Sequence, residues 1–365
     1  MKLPQQQQTV LSNHSPAKIL IVGPSWVGDM VMAQSLFMVL KQQYPEATID
    51  VLAPAWSRPI IERMPEVNKA IDMPLGHGHF GLKGRWILGR ALQKEGYTQS
   101  IILPNSWKSA LIPWFAKIPV RTGWKGEARY GLLNDLRKLD KTQLPMMVQR
   151  FVALAYPALP YLKSGAKKTS NTSLENCPPP SLLIDKNRLP TLLQHFGLNT
   201  RKPTLILCPG AEFGPAKQWP AEHYSATAAH MIKTGYQVWV MGSSGDIAIA
   251  EAIYSQIKDK IDTASMTILC GKTSLEEAID LLSSTDKVLS NDSGLMHIAS
   301  ALNKPLVALY GATSPEFTPP LSSNARIVSI EVDCGPCFKR ECPEGHHKCM
   351  NSLNPEAVLK VLNEP

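Results

Sequence analysis

The chain has 365 residues, 44% hydrophobic and 19% charged, which is long enough for two ordinary domains and too apolar for a disordered chain. Its formal charge of +8 is uneven: residues 1–150 hold 19 Lys and Arg against 10 Asp and Glu, and residues 151–365 hold 19 against 20. The basic half should therefore meet something anionic (nucleic acid, anionic lipid or a phosphorylated substrate), with plain solubility as the bland alternative.

The first stretch, "MKLPQQQQTVLSNHSP", is polar and Gln-rich. It lacks the apolar core of a secretion signal, so residues 1–17 are expected to be a flexible N-terminus and the protein cytoplasmic. No window approaches 18 consecutive apolar residues, so no transmembrane segment is expected. "KILIVG" (18–23) then reads as a buried strand and "DMVMAQSLFMVLKQQY" (29–44) as an amphipathic helix. The turn between them, "GPSWVGDMVM", looks like a nucleotide loop at first sight. It is neither G-x-G-x-x-G nor a Walker loop, because no Lys-Ser/Thr follows. It ends instead in Asp29, at a helix start after the first strand. Asp29 reads as an N-cap, a place where a carboxylate also stays ionised and suits a general base.

"TIDVLA" (48–53) and "SIILP" (100–104) are further strands. His77 and His79 fall in a Gly-rich "HGH" stretch, read as loop first and acceptor contact second. Between about 157 and 203 the alternation pauses in a Pro-, Ser-, Asn- and Lys-rich stretch that looks like a domain boundary. It restarts with strands at 204–208, 237–242, 266–270, 287–290 and 305–311, and helices near 221–234, 246–259, 274–283 and 294–302. Strand–helix alternation with continuous apolar strands predicts α/β domains with parallel, doubly wound sheets, whose ligands bind at the carboxyl ends of the strands.

Three loops of the second half lie at such ends. "PGAEFGPAKQWPAEHY" (209–224) keeps its backbone bare at Gly210 and Gly214 and supplies a cation, Lys217, suited to gripping a diphosphate; a surface lysine is the bland reading. In "SNDSGLMHIASAL" (290–302), Ser293 and Gly294 can offer N–H groups and a hydroxyl to phosphate at a helix N-terminus. Asp292 would orient that turn or meet a sugar hydroxyl, and His297 would reach the phosphate or simply pack. Asp246, in "MGSSGD", is placed for ribose hydroxyls. Farther on, "CGPCFKRECPEGHHKC" clusters Cys334, Cys337, Cys342 and Cys349, read first as a packed or redox-labile loop without metal and second as a candidate structural metal clip. Cys177, Cys208 and Cys270 are scattered, the last two in apolar runs that mark them as core.

The stretches "ILIVGPSWVGDMVM", "LPNSWKSALIPWFAKIPVRTGWKGEARYGLLND", "CPGAEFGPAKQWPAEHY" and "NDSGLMHIASALNKPLVALYGATSP" resemble the ADP-heptose glycosyltransferases, glycosyltransferase family 9. The resemblance spans about residues 18 to 320. It implies the GT-B fold, two Rossmann-like domains facing a central cleft. On that pattern residues 18–175 form an acceptor-binding domain, 176–350 an ADP-sugar-binding domain and 351–365 a C-terminal helix. The implied reaction is inverting transfer of L-glycero-D-manno-heptose from ADP-heptose to the inner heptose of a nascent lipopolysaccharide core. The runner-up is the transferase that adds the preceding heptose, or another GT-B nucleotide-sugar enzyme.

By motif, Asp29 matches the base, Lys217 the donor-phosphate lysine, and Asp292, Ser293 and Gly294 the donor segment. Asp246 matches loosely. Arg58, Arg63, Asn105, Lys108, Arg121 and Lys125 are the candidate contacts for a phosphorylated, lipid-anchored acceptor at the inner-membrane surface. Trp107, Trp114 and Trp124 are expected to pack or to touch the bilayer interface. No required cofactor is implied, no carboxylate cluster for Mg²⁺ is visible, and neither a nucleic-acid module nor a basic run longer than two residues is present.

Overall fold

Alternating apolar strands and helices produce two six-stranded sheets in which every pairing is parallel. The computed structural model describes residues 17–74, 80–158 and 177–364. The first 16 residues and the "HGH" stretch lie outside the described residues. Strands β1 (Lys18–Val22), β2 (Thr48–Pro54), β3 (Lys69–Met73), β4 (Gln99–Ile102), β5 (Val120–Trp124) and β6 (Asp135–Arg137) form the first sheet, in the order β3-β2-β1-β4-β5-β6. Strands β7 (Thr204–Cys208), β8 (Gln237–Val240), β9 (Met266–Ile268), β10 (Lys287–Asn291), β11 (Leu306–Tyr310) and β12 (Ala325–Ser329) form the second, in the order β12-β11-β10-β7-β8-β9. Both orders reverse beside the first strand of the sheet, which opens a crevice at the carboxyl ends of β1 and β4 in one and of β7 and β10 in the other.

The helices are α1 (Val27–Gln43), α2 (Arg58–Ile61), α3 (Leu82–Gln93), α4 (Leu111–Phe115), α5 (Met147–Val152), α6 (Leu189–His195), α7 (Ala221–Lys233), α8 (Ile247–Ile257), α9 (Leu275–Ser283), α10 (Gly294–Ala301), α11 (Lys348–Asn351) and α12 (Pro355–Leu362). Among the described residues no helix is long and apolar enough to cross a membrane. The described residues of Met1–Ser25 and Ala33–Pro178 form one compact unit, and those of Trp26–Met32 and Pro179–Pro365 form another. Helix α1 thus starts in the second unit and continues in the first. It lacks a clean polar face, since Met30, Val31, Met32, Ala33, Leu36, Phe37, Val39 and Leu40 are all buried.

Each unit has its own core. In the first, Leu20, Val22, Leu52 and Ile102 of the sheet pack with Ala110, Ile112 and Ile118. In the second, Leu205, Leu207, Val240, Leu289 and Leu309 pack with Trp219, Tyr224 and, from α12, Val358 and Leu362. Trp219 sets its ring edge-on to Tyr224 at 4.9 Å and donates Nε1–H to the Leu353 carbonyl at 2.8 Å. Four strands are not legible as apolar runs. Strands β3 and β12 are half exposed, β6 is the three residues DLR, and β5 (VRTGW) mixes Arg, Thr and Gly. Three of these are sheet edges, where one neighbour instead of two relaxes the demand for apolar side chains.

Candidate functional site

The site is built at the reversal point of the second sheet. Asn291, the last residue of β10, is fully buried. Its Oδ1 accepts from the Trp219 N–H (3.3 Å) and the Tyr224 hydroxyl (3.0 Å), and its Nδ2 donates to the Pro209 carbonyl (2.8 Å). One amide therefore ties the loop after β7 to the end of β10. The loop brings Lys217 onto Asp292, with Nζ 2.6 Å from Oδ2. That carboxylate oxygen also accepts from Thr313 Oγ1 at 2.6 Å. The Phe213 ring lies 4.9 Å from Lys217 Nζ and 5.5 Å from the Arg340 guanidinium, so two cations share one aromatic face region. Gly214 lies against the Arg340 backbone, where a Cβ would not fit, and the Ala216 N–H donates to the Arg340 carbonyl at 3.0 Å.

Ser293 is the N-cap of α10: its hydroxyl accepts from the Met296 N–H at 3.4 Å and lies 3.1 Å from Ser290 Oγ. One turn on, His297 is buried with Nε2 3.9 Å from Asp292 Oδ1. Burial pushes its pKa down to about 4, a fall that Lys217 adds to and Asp292 opposes, so the ring is neutral near pH 7. The His297 ring packs on Gly28, where an added Cβ would stand 2.5 Å from Cδ2. A similar close approach joins Gly294 to Val27.

Helix α1 begins at Val27, and the Met30 N–H bonds the Trp26 carbonyl at 2.9 Å. Asp29 is therefore a first-turn residue two positions inside the helix, and not the N-cap that "GD" suggested. It belongs to the second unit, with Lys217, Asp292 and His297. Loss of solvent around its carboxylate raises the pKa to about 6. The Lys217 cation opposes that rise and the Asp292 charge adds to it. The result is a carboxylate that is mostly ionised at neutral pH and able to take up a proton.

Gly28→Ala should cost roughly 1–3 kcal/mol by overpacking, because the new Cβ would stand 2.5 Å from the buried His297 ring. Thermal melting and turnover should fall together; an unchanged melting temperature would show that the helix start yields.

The other donor candidates are close by in the chain's fold. Asp246 accepts from the Ser243 N–H (2.7 Å) and hydroxyl (2.9 Å). Its carboxylate lies beside both Gly210 and Gly242, within 2.5 and 2.7 Å of where their Cβ atoms would be. The acid thus fills the space that two bare glycines leave at the ends of β7 and β8.

The acceptor candidates lie in the first unit and are engaged in different ways. Arg58 pairs with Glu62 (3.0 Å) and Asp72 (2.8 Å). Arg63 is buried. Arg121 donates to the carbonyls of Leu132 and Ile118, both at 2.6 Å, and so braces backbone. Asn105 is exposed, Lys108 partly so, and Lys125 Nζ lies 5.4 Å from the Tyr130 ring centroid. Buried Arg129 joins the loops carrying these three, donating to the Pro104 and Trp124 carbonyls. Glu127 helps by accepting the Trp107 N–H at 2.8 Å. Trp124 is buried, with Nε1–H on the Arg150 carbonyl, whereas Trp107 and Trp114 are exposed.

Cys334, Cys337, Cys342 and Cys349 line one small pocket with His346. Cys334 Sγ is 3.9 Å from His346 Nε2, and Cys337 Sγ is directed at the Ala312 carbonyl, also at 3.9 Å. Among the described residues, however, no group of three or more His, Cys, Asp or Glu side chains is placed to hold a metal ion. The metal clip that the spacing suggested is thus not formed by these side chains as they stand. Asn291, Thr313, Phe213, Arg340 and Arg129 were missed in the sequence. Only Asn291, adjoining Asp292 in "SND", carried a local hint.

Two Rossmann-like parallel sheets, one with a cation, a buried acid and a helix N-terminus at its reversal point, are the architecture of the GT-B class. The model of glycosyltransferase family 9 (heptosyltransferase) matches residues 85–348, and the chain belongs to that family. It is 46% identical to lipopolysaccharide heptosyltransferase 2 of Escherichia coli strain K12, over 95% of this chain and 97% of that one. It is 48% identical to lipooligosaccharide heptosyltransferase 2 of Haemophilus influenzae, over 95% and 98%. The solved structure of E. coli ADP-heptose LPS heptosyltransferase II superposes with a TM-score of 0.79 at 44% identity, covering 95% of this chain and 97% of that one.

Proposed function

We propose that this glycosyltransferase moves L-glycero-D-manno-heptose from ADP-heptose to the inner heptose of heptosyl-Kdo2-lipid A, with inversion at the anomeric carbon. The observation that carries the reading is the near full-length likeness to heptosyltransferases 2, in a chain whose Asp29, Lys217 and Asp292 share one unit. The second unit holds the donor and the base; the first receives the acceptor.

In this reading Asp29 takes the proton of the attacking hydroxyl as the acceptor oxygen bonds to the anomeric carbon. The bond from that carbon to the β-phosphate oxygen breaks, and ADP leaves with the electron pair. Lys217, at the loop after β7, and the N–H groups at the Ser293–Gly294 helix start stabilise the charge growing on ADP. Asp292 holds Lys217 in place, and Asp246 contacts the ribose. His297, being neutral, adds no charge and instead fixes the approach of α10 to Gly28. The chain's own side chains supply both base and counter-charge, and the reaction so written calls on no cofactor.

The test is incubation of the protein with heptosyl-Kdo2-lipid A and ADP-, UDP- or GDP-sugars in parallel, with mass detection of one added heptose. Transfer from ADP-heptose alone is expected. Use of Kdo2-lipid A lacking heptose in preference, or of a UDP- or GDP-sugar, would overturn the reading.

A further inference from the structure

We propose that the outer face of α3, with the segment that follows β4, is a docking surface for an anionic lipid bilayer. This rests on the acceptor being lipid-linked, and it assigns the part of the chain that meets the lipid. Leu82 and Trp86 project from α3 at the four-residue spacing that keeps side chains on one stripe, Ile87 stands beside them, and all three are about half exposed. Lys83 and Arg90 are exposed on the same helix. Phe80, just ahead of it, packs at a tilt against exposed Trp107 with ring centroids 5.1 Å apart.

The patch is held from beneath. Buried Arg85 donates Nε–H to the Phe80 carbonyl at 2.8 Å and Nη1–H to the Lys108 carbonyl at 3.2 Å. Gly89 on the inner face lets α3 close on α4: a Cβ there would stand 2.5 Å from Phe115 Cβ. Five large apolar side chains are thus kept out of the core by a rigid base, at a place where a soluble surface would ordinarily be polar.

Charge selects the occupant. Residues 80–117 contain six Lys and Arg (Lys83, Arg85, Arg90, Lys94, Lys108, Lys117) and one acid, Glu95. Glu95 is already paired with Lys18 at 2.8 Å. Tryptophan and isoleucine beside long, flexible cations match a bilayer interface, where rings sit at headgroup depth and the cations meet lipid phosphates. The segment after β4 lies at the carboxyl edge of the first sheet. A bilayer seated there would present an anchored sugar chain to the unit that receives it.

The experiment is vesicle flotation of the full chain with phosphatidylcholine alone or with 30% phosphatidylglycerol added. Wild type, Trp86→Gln/Ile87→Gln and Lys83→Gln/Arg90→Gln are compared, with melting temperatures recorded for each. Wild type should float with the anionic vesicles and be released by salt. The apolar pair should lose roughly tenfold or more in partitioning. The charge pair should lose about fivefold per cation, on anionic vesicles only. Heptosyl transfer to a detergent-solubilised acceptor should be unchanged in both, because none of the four residues belongs to the reaction site. Absence of wild-type binding to anionic vesicles, or equal binding by wild type and the apolar pair, overturns the proposal. So does a wild-type dimer in sedimentation equilibrium that the apolar pair dissociates, since the face would then bind a second copy. Failure of transfer from ADP-heptose would defeat the functional reading separately, since flotation does not depend on turnover.

Discussion

Asp29→Asn is expected to lower kcat by roughly 10²–10⁴ while leaving ADP-heptose affinity within a factor of a few. The amide keeps the shape of the carboxylate and removes the ability to accept the acceptor's proton. In the unmodified enzyme kcat/KM should rise with pH through about 6, the point to which desolvation lifts Asp29, and level off above it. A variant retaining a tenth or more of turnover would remove Asp29 from the role of base.

The same substitution has an opposite effect on stability. The folded-state pKa of Asp29 lies above its unfolded value, 3.8 against about 6. Between those values the folded protein holds a proton that the unfolded chain has released, so the contribution of Asp29 to stability falls as pH rises and is constant above 6. Ionised Asp29 then costs about 3 kcal/mol, and Asp29→Asn should melt higher at pH 8 by a few degrees. His297 opposes this slope. Its folded pKa of about 4 lies below its ordinary 6.5, so its contribution rises with pH over that window. The two slopes nearly cancel, and His297→Gln should expose the downward slope of Asp29 between pH 4 and 6.

Lys217→Met is the second large effect. It removes the cation assigned to the donor diphosphate and should raise KM for ADP-heptose by roughly 10–100-fold, the worth of one or two charge-assisted hydrogen bonds. It also leaves the Asp292 carboxylate buried, with the Thr313 hydroxyl still donating to Oδ2. Breaking such a pair costs about 3–5 kcal/mol when fully buried. Here the lysine keeps some solvent access, so about 2 kcal/mol is expected. Loss of the cation should move the acid limb of the pH–rate profile upward, because Lys217 lowers the Asp29 pKa. Lys217→Arg should recover part of the donor affinity and return the limb toward its original position. Unchanged KM and an unshifted limb in Lys217→Met would show that phosphate is gripped elsewhere.

The second sheet was almost fully legible, because a strand buried on both faces must be a continuous apolar run: TLILC, QVWV and LVALY announce themselves. The edges were not. β12 (ARIVS) and β3 (KAIDM), each with a neighbour on one side only, carry polar and charged residues among the apolar ones, and their pairing is decided by the neighbour they lie against. The site divides in the same way. Asp29, Lys217 and Asp292 stand in turns at strand ends, where sequence pattern alone draws attention. Asn291, Thr313 and Phe213 do their work through contacts with residues distant in the chain, and only Asn291, next to Asp292, has a neighbour that hints at it. The cysteines show the converse. A spacing that suggests a ligand set places four sulfurs around one pocket without arranging any three ligands about an ion.

The order of strands and helices, the basic character of the first half and membership of a glycosyltransferase family are properties of the sequence by itself. They follow from local hydrophobic period, composition and motif, none of which needs a partner in space. The tertiary structure decided which unit Asp29 joins, that its carboxyl is lifted to about 6 and that His297 is neutral. A pKa is set by the water excluded and the charges gathered around a group, and here those come from Lys217, Asp292 and the packing of α10 on Gly28. That environment exists only once the chain has folded residues from opposite ends of the sequence onto one another.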